Sequence, residues 1–412
     1  MRSRHKLNVK MYTETDEDPQ TIRSKSAKQY HKNALRHPQQ RKSSQLCRLV
    51  VIIPVLLFFT IVLAGFMAMS ESLAMARRNA ESHLVYSTVK GYFLQDEEDT
   101  DPNRFDYVAN NFGLIDRPYD YEGQEHRAEA DERPTTQWSR FERQIRTMNA
   151  QAEPNVVYKV LYLGRHGEGF HNVAQSWYGD DAWDCYWSLQ DGNETSTWSD
   201  ARLTQVGRAQ AQTAHDAWRK QIETAIPFPE MFYVSPLNRC LETAFITFDG
   251  LVGRRPFRPT VKELVRETLG IHTCDRRSTK TVIQDEYPDY IIEEGFTEDD
   301  ELWHAEQRES DSARNARIKT FLDDVFTANS DKQFISVTAH SGAITSILDV
   351  VGHRDFQLQT GGVIPILVKA ERVRGKEPER VIEPPTGVPQ CKSDPLAAGG
   401  KGPMQVREVV DL

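Results

Sequence analysis

Three short apolar runs in this 412-residue chain end in residue types that handle phosphate. Leu163 is followed by Gly164-Arg165-His166-Gly167, Val234 by Ser235-Pro236-Leu237-Asn238-Arg239, and Ala339 by His340-Ser341-Gly342. If the runs are parallel strands of one sheet, their ends meet on one rim and bring two arginines and two histidines together. Guanidinium forks bind phosphate oxygens in pairs. A neutral imidazole, whose ordinary pKa is ~6.5, is a competent nucleophile. The cluster suits a dianionic ligand such as a phosphate ester, and Gly167 permits close backbone approach beside the histidine.

The elements that must position these residues show a strand-helix rhythm from Val156 onward. The run to Gly164 reads as a buried parallel strand, followed by a helix over 204–222 with Thr204 as N-cap. Residues 231–234 form a second strand and the stretch after them a helix, with Ser235 at the N-cap and Pro236 at the first helical position. Asp311 caps a further helix before the strand FISVTA and the helix SGAITSILDVV, and GGVIPILVKAE supplies a last strand. This pattern predicts an α/β fold with a mostly parallel central sheet, helices on both faces, and ligands at the carboxyl ends of the strands.

Charge is unevenly distributed. The net −9 divides into 12 Lys/Arg against 4 Asp/Glu in residues 1–48, an uncharged run at 49–69, and a balance of −17 beyond it. A nucleic-acid binder needs a basic face on its folded part, so that class is excluded. Leu49–Met69 is 21 residues long, enough to cross a ~30 Å hydrocarbon core, and reads as one transmembrane helix preceding the α/β domain. Lys32, Arg36, Arg41, Lys42 and Arg48 precede it and only Arg77 and Arg78 follow closely, which predicts a single-pass type II signal-anchor protein with its catalytic domain lumenal or extracellular.

The expected organisation is a disordered basic cytosolic tail (1–48), the transmembrane helix (49–69), a stem and extension docking on the catalytic domain (70–154), the catalytic domain (155–371), and a flexible tail (372–412). Cys185, Cys240, Cys274 and Cys391 allow three pairings, and spacing selects none.

Five segments, LGRHGEGFHN at 163–172, DARLTQVGRAQA at 200–211, YVSPLNRCLETA at 233–244, LVRETLGIHTCDRR at 264–277 and TAHSG at 338–342, resemble the histidine phosphatase superfamily. The resemblance covers about 86–371 and is strongest to the fungal phosphomutase-like branch. It implies a phosphoglycerate mutase-like fold and makes His166 the nucleophile that carries the phosphoryl group. Arg165, Arg239 and His340 would then hold phosphate oxygens, Asn172 would close the first motif, and Glu267 would protonate the leaving oxygen. No cofactor and no metal is called for, because arginines stand where Mg²⁺ stands in kinases.

Glu263 and Glu168 compete with Glu267 for the acid role, and His171 is expected to make a surface hydrogen bond. The aromatic insertion bearing Trp183, Trp187 and Trp198 either roofs the pocket or packs. The leading functional expectation is a membrane-anchored phosphatase hydrolysing small phosphate monoesters through phosphohistidine. The alternative is a phosphoglycerate mutase-type phosphomutase. A distant alternative is a type II membrane glycosyltransferase, whose metal motif could only be Asp99-Thr100-Asp101.

Overall fold

Seven strands pair into one sheet: β1 (Ser82–Thr88), β2 (Val156–Arg165), β3 (Met231–Val234), β4 (Thr260–Val261), β5 (Ile291–Ile292), β6 (Phe334–Ala339) and β7 (Val363–Arg374). The computed structural model describes residues 81–119, 136–251, 253 and 256–399. The strand order is β1-β7-β2-β6-β3-β4-β5. β2, β6, β3, β4 and β5 are mutually parallel, while β7 runs antiparallel to both β2 and β1.

Successive side chains of a strand point to opposite faces, and the sheet uses both. Val160 and Tyr162 of β2 pack on one side against Trp218, Leu241 and Phe248, whereas Leu161 and Leu163 pack on the other against Phe321, Ile344 and Ile347. The first set of partners comes from α1 (Gln137–Gln151), α4 (Gln205–Glu223) and α5 (Asn238–Phe248). The second comes from α7 (Asp311–Ala328) and α8 (Ser341–Val350). Short helices α2 (Phe170–Tyr178), α3 (Asp180–Cys185) and α6 (Lys280–Glu286) sit on connections. Upstream of β2, Phe93, Phe112, Trp138 and Phe141 belong to the first core.

Local chemistry explains where the helices begin. Thr204 Oγ1 accepts from the Gly207 amide at 3.0 Å, as its N-cap assignment requires. Two caps differ from expectation. Ser310 rather than Asp311 caps α7, accepting from the Ala313 amide at 3.2 Å. α5 starts at Asn238 instead of Pro236, and its first amide is bonded by Asp200 Oδ1 at 2.8 Å, a carboxylate from a distant loop. Ser235 Oγ keeps a long bond from the Leu237 amide, at 3.4 Å.

The transmembrane expectation is corrected. No helix among the described residues is long and apolar enough to cross a membrane. Even the longest, α4, buries Ala211, Ala214, Ala217 and Trp218 while exposing Arg208, Gln212 and Lys220, the two-sided pattern of a helix packed on a sheet. Residues 49–69, like the tail at 1–48, lie outside the described residues. The supported fold class is the α/β sheet with flanking helices. The single-pass type II placement, the signal anchor, attachment to a bilayer through 49–69, and the membrane-anchored phosphatase as leading function are withdrawn.

Among the described residues beyond β7, the chain returns to the domain. Cys391 is disulfide-bonded to Cys185 of α3, with Cα atoms 5.2 Å apart, and Cys240 and Cys274 are buried free thiols.

Candidate active site

Register places the chemistry. Arg165 pairs with Ala339 across β2 and β6, and Val234 with Thr338 across β3 and β6. The ladder continues one residue further, with the His166 amide donating to Ala339 O at 3.0 Å and the Ser235 amide to Thr338 O at 3.1 Å. Three strand ends therefore stop at one edge, and α5 and α8 begin there, delivering Arg239 and His340.

His166 is 2% exposed. Its Nδ1 lies 2.7 Å from Gly167 O, and a carbonyl can only accept, so Nδ1 carries the proton and Nε2 keeps its lone pair. Burial, reinforced by Arg239 and Arg165, holds its pKa well below the usual imidazole value, so the ring is neutral near pH 7. The rings of His171 and His340 lie 5.4 and 5.2 Å from it, and burial with Arg239 depresses both in the same way.

Arg239 donates through Nη1 to Cys274 O at 2.6 Å and through Nη2 to Asp275 Oδ1 at 2.9 Å. Arg308 Nη1 takes the other carboxylate oxygen, Asp275 Oδ2, at 3.1 Å. Burial pushes the Asp275 carboxyl up, but Arg308 and Arg239 outweigh it and hold the group below the usual range. One carboxylate between two guanidinium groups leaves a net positive charge. Arg165 adds to it, since its Nη1 bonds only the Leu358 carbonyl, at 2.7 Å. Arg165 Nε, Arg239 Nε and His171 Nδ1 are buried with no protein partner. The positive charge of Arg165, Arg239 and Arg308 is what an anion with several acceptor oxygens in the cavity would offset.

These groups face a cavity of about 610 Å³, within the ordinary range for small-molecule sites. Arg165, His166, Asn172, Arg239 and Glu267 line it. His340 and Gly167 stand behind the wall. His340 Nε2 is 2.7 Å from Ser235 Oγ, which is the use to which the displaced cap residue is put. The Gly167 amide bonds Thr243 Oγ1 at 3.1 Å, and the space a Cβ would need lies 2.2 Å from Gly207 O, so this glycine serves the seating of the loop on α4. Asn172 Oδ1 accepts from the Gly169 amide at 2.9 Å, leaving Nδ2 as its donor.

Of the three glutamates, only Glu267 lines the cavity. Its Oε1 accepts from the Thr268 amide at 2.9 Å and its Oε2 from the Gly342 amide at 3.0 Å. Glu168 accepts from Thr204 Oγ1, and Glu263 is held by Arg266 and Arg277. His171 is buried in the cavity wall, not on the surface. Trp183 also lines the wall, edge-on to His272, while Trp198 packs behind it in a satellite cluster. The Asp99-Thr100-Asp101 triplet lies away from the cavity, with Asp101 Oδ1 bonding the Asn103 amide.

Sequence reasoning passed over Arg308, Arg314, His272, Asp275 and the C-terminal residues Thr386, Gly387 and Pro389, all of which line the cavity. His272 and Asp275 both lie inside LVRETLGIHTCDRR, where a carboxylate beside two arginines is a signal; Arg308, Arg314 and the C-terminal residues carry none. His272, Cys274 and Asp275 present ligand-type atoms within 4.8 Å of one another. Both Asp275 oxygens are occupied by guanidinium groups, which a cation would have to displace.

The sequence profile of the histidine phosphatase superfamily (branch 1) matches residues 161–360. A protein of Arthroderma benhamiae named "Probable phosphoglycerate mutase" is 55% identical over 288 residues, 69% of this chain and 84% of that protein. "Phosphomutase-like protein 3" of Candida albicans is 43% identical, covering 52% of this chain and 66% of its own length. A protein of Saccharomyces cerevisiae named as a probable phosphoglycerate mutase is 36% identical, covering 52% and 79%. With arginines and histidines gathered at one strand edge and relatives this similar over most of their length, the chain belongs to the histidine phosphatase superfamily and is an enzyme of its phosphoric monoester hydrolase or mutase type.

Proposed function

We propose that this chain is a phosphomutase of the phosphoglycerate mutase type, moving a phosphoryl group through a phosphohistidine on His166. The single observation that carries the choice of mutase is the 55% identity over 84% of a relative named as a probable phosphoglycerate mutase.

His166 Nε2 attacks phosphorus, and the bond to the ester oxygen breaks as Glu267 delivers a proton to that oxygen. Arg165, Arg239 and the Asn172 Nδ2 group, which line the cavity, stabilise charge on the transferring oxygens, and His340 packs behind them against Ser235. In the second half an acceptor hydroxyl attacks the phosphohistidine while Glu267 takes its proton. If water enters in place of the hydroxyl, the same steps yield inorganic phosphate, so hydrolysis is the competing outcome of one mechanism.

Purified full-length protein incubated with 3-phosphoglycerate and a trace of 2,3-bisphosphoglycerate decides between them. Isomerisation without phosphate release supports the mutase. Phosphate release with no isomerisation overturns it in favour of a phosphatase. A His166→Ala protein that keeps the wild-type rate of either reaction sinks the phosphohistidine mechanism.

A further inference from the structure

The C-terminal segment crosses the mouth of the cavity and is fastened on both sides. On one side the Glu383 amide donates to Ser312 Oγ at 2.8 Å, Ser310 Oγ donates to Glu383 O at 2.9 Å, and Thr386 and Arg308 exchange backbone bonds of 2.8 and 2.9 Å as an antiparallel bridge. On the other side Cys391 is bonded to Cys185, the Lys392 amide donates to Asp181 Oδ2 at 3.2 Å, and Trp187 Nε1 donates to Pro395 O at 3.0 Å. Both sides border the same cavity, since Arg308, Glu309 and Asp311 near the first fastening and Trp183 and Asp184 near the second line it. Between the fastenings, Thr386, Gly387 and Pro389 form wall themselves.

This segment buries almost nothing: residues 383–391 are all exposed, Val388 at 40%. Ordering an exposed strap costs conformational entropy that a few surface hydrogen bonds do not offset. The covalent link removes most of that cost by denying the strap its free states.

We propose that residues 383–391 are a specificity-determining strap, latched by the Cys185–Cys391 disulfide, that restricts the enzyme to low-molecular-weight phosphate monoesters and shuts out phosphate carried on a polypeptide. This rests on the phosphoryl-transfer reading above. With the strap seated, the leaving group must fit inside a cavity of about 610 Å³. With it released, the wall between Arg308 and Trp183 opens and a chain can pass over the nucleophile.

The test compares full-length wild type with Cys391→Ser and Cys185→Ser, using p-nitrophenyl phosphate and a phosphoserine peptide of about a dozen residues. Amide exchange at Thr386 is followed in parallel. The expected result is faster exchange at Thr386 and a rise of about tenfold or more in the peptide-to-small-ester ratio of kcat/KM, with the small-ester kcat changing little. Thr386→Pro, which removes the amide donating to Arg308 and leaves the disulfide intact, should move the ratio the same way even if a cysteine variant does not fold. An unchanged ratio after the strap has become exchange-labile overturns the proposal, as does wild type that already accepts the peptide equally well. If wild type turns over neither ester, the strap proposal is overturned, and the 3-phosphoglycerate assay above shows separately whether the phosphoryl-transfer reading has failed with it.

Discussion

Nδ1 of His166 and the carbonyl oxygen of Gly167 lie 2.7 Å apart, one residue from each other in the chain, and this contact fixes which ring nitrogen can attack. The acceptor is part of the loop that also seats on α4, so the tautomer is set by backbone that cannot easily rotate away.

The position of Glu267 makes a prediction about leaving groups. Glu267→Gln should lower kcat by about 10²- to 10⁴-fold on an alkyl phosphate, whose alkoxide needs a proton, and far less on p-nitrophenyl phosphate, whose phenolate leaves unaided. Equal losses on both esters, measured by phosphate release, would remove Glu267 from the acid role.

Asp275 bridges two guanidinium groups, with Arg239 1%, Asp275 3% and Arg308 22% exposed by side chain. Asp275→Asn should cost roughly 3–5 kcal/mol, because it leaves the buried Arg239 guanidinium beside Arg308 without the carboxylate that pairs with both. The fall in urea midpoint, at constant slope, measures it. A loss under about 1 kcal/mol would show that the cations had found other partners.

Three buried imidazoles give a pH dependence of definite sign. His166, His171 and His340 have folded pKa values depressed below their unfolded values of ~6.5, so the unfolded chain binds more protons in the window between the two. Stability should hold above about pH 6.5 and fall as the pH drops through that window. Thermal midpoints across the acid range check this, and His171→Asn should flatten the slope. The same depression keeps His166 neutral, so the acid limb of kcat/KM should lie below about 6.5.

Gly207 and the loop after β2 are closer than any side chain allows. A Cβ on Gly207 would stand 2.1 Å from Glu168 O. Gly207→Ala should therefore push back the loop bearing His166 and Gly167, costing about 1–3 kcal/mol of stability and about ten- to a hundredfold in kcat. Near-wild-type kinetics in this variant would show that the loop tolerates displacement.

Much of the sheet was legible in the sequence, because buried strands are written as short apolar runs and helix starts as capping residues. The segments around Arg165, His166, Arg239 and His340 needed no coordinates to suggest phosphate chemistry, since each stands directly after such a run. Caps were less legible. Ser235 has the right type and place to cap α5, yet a carboxylate from Asp200 took that amide, and Ser235 turned to His340.

By itself the sequence determined the residue types at the three strand ends, the α/β alternation and the family, all of which are local properties or sums of them. Tertiary structure alone decided which of three glutamates faces the cavity, that His171 is inside, that Asp275 ties Arg239 to Arg308, and that Cys185 bonds to Cys391. Among the described residues no helix is long and apolar enough to cross a membrane, and the span that hydropathy suggested is not carried forward. The physical reason is the same for each contact: it joins residues distant in the chain, and chain separation carries no record of which groups meet once the sheet has folded.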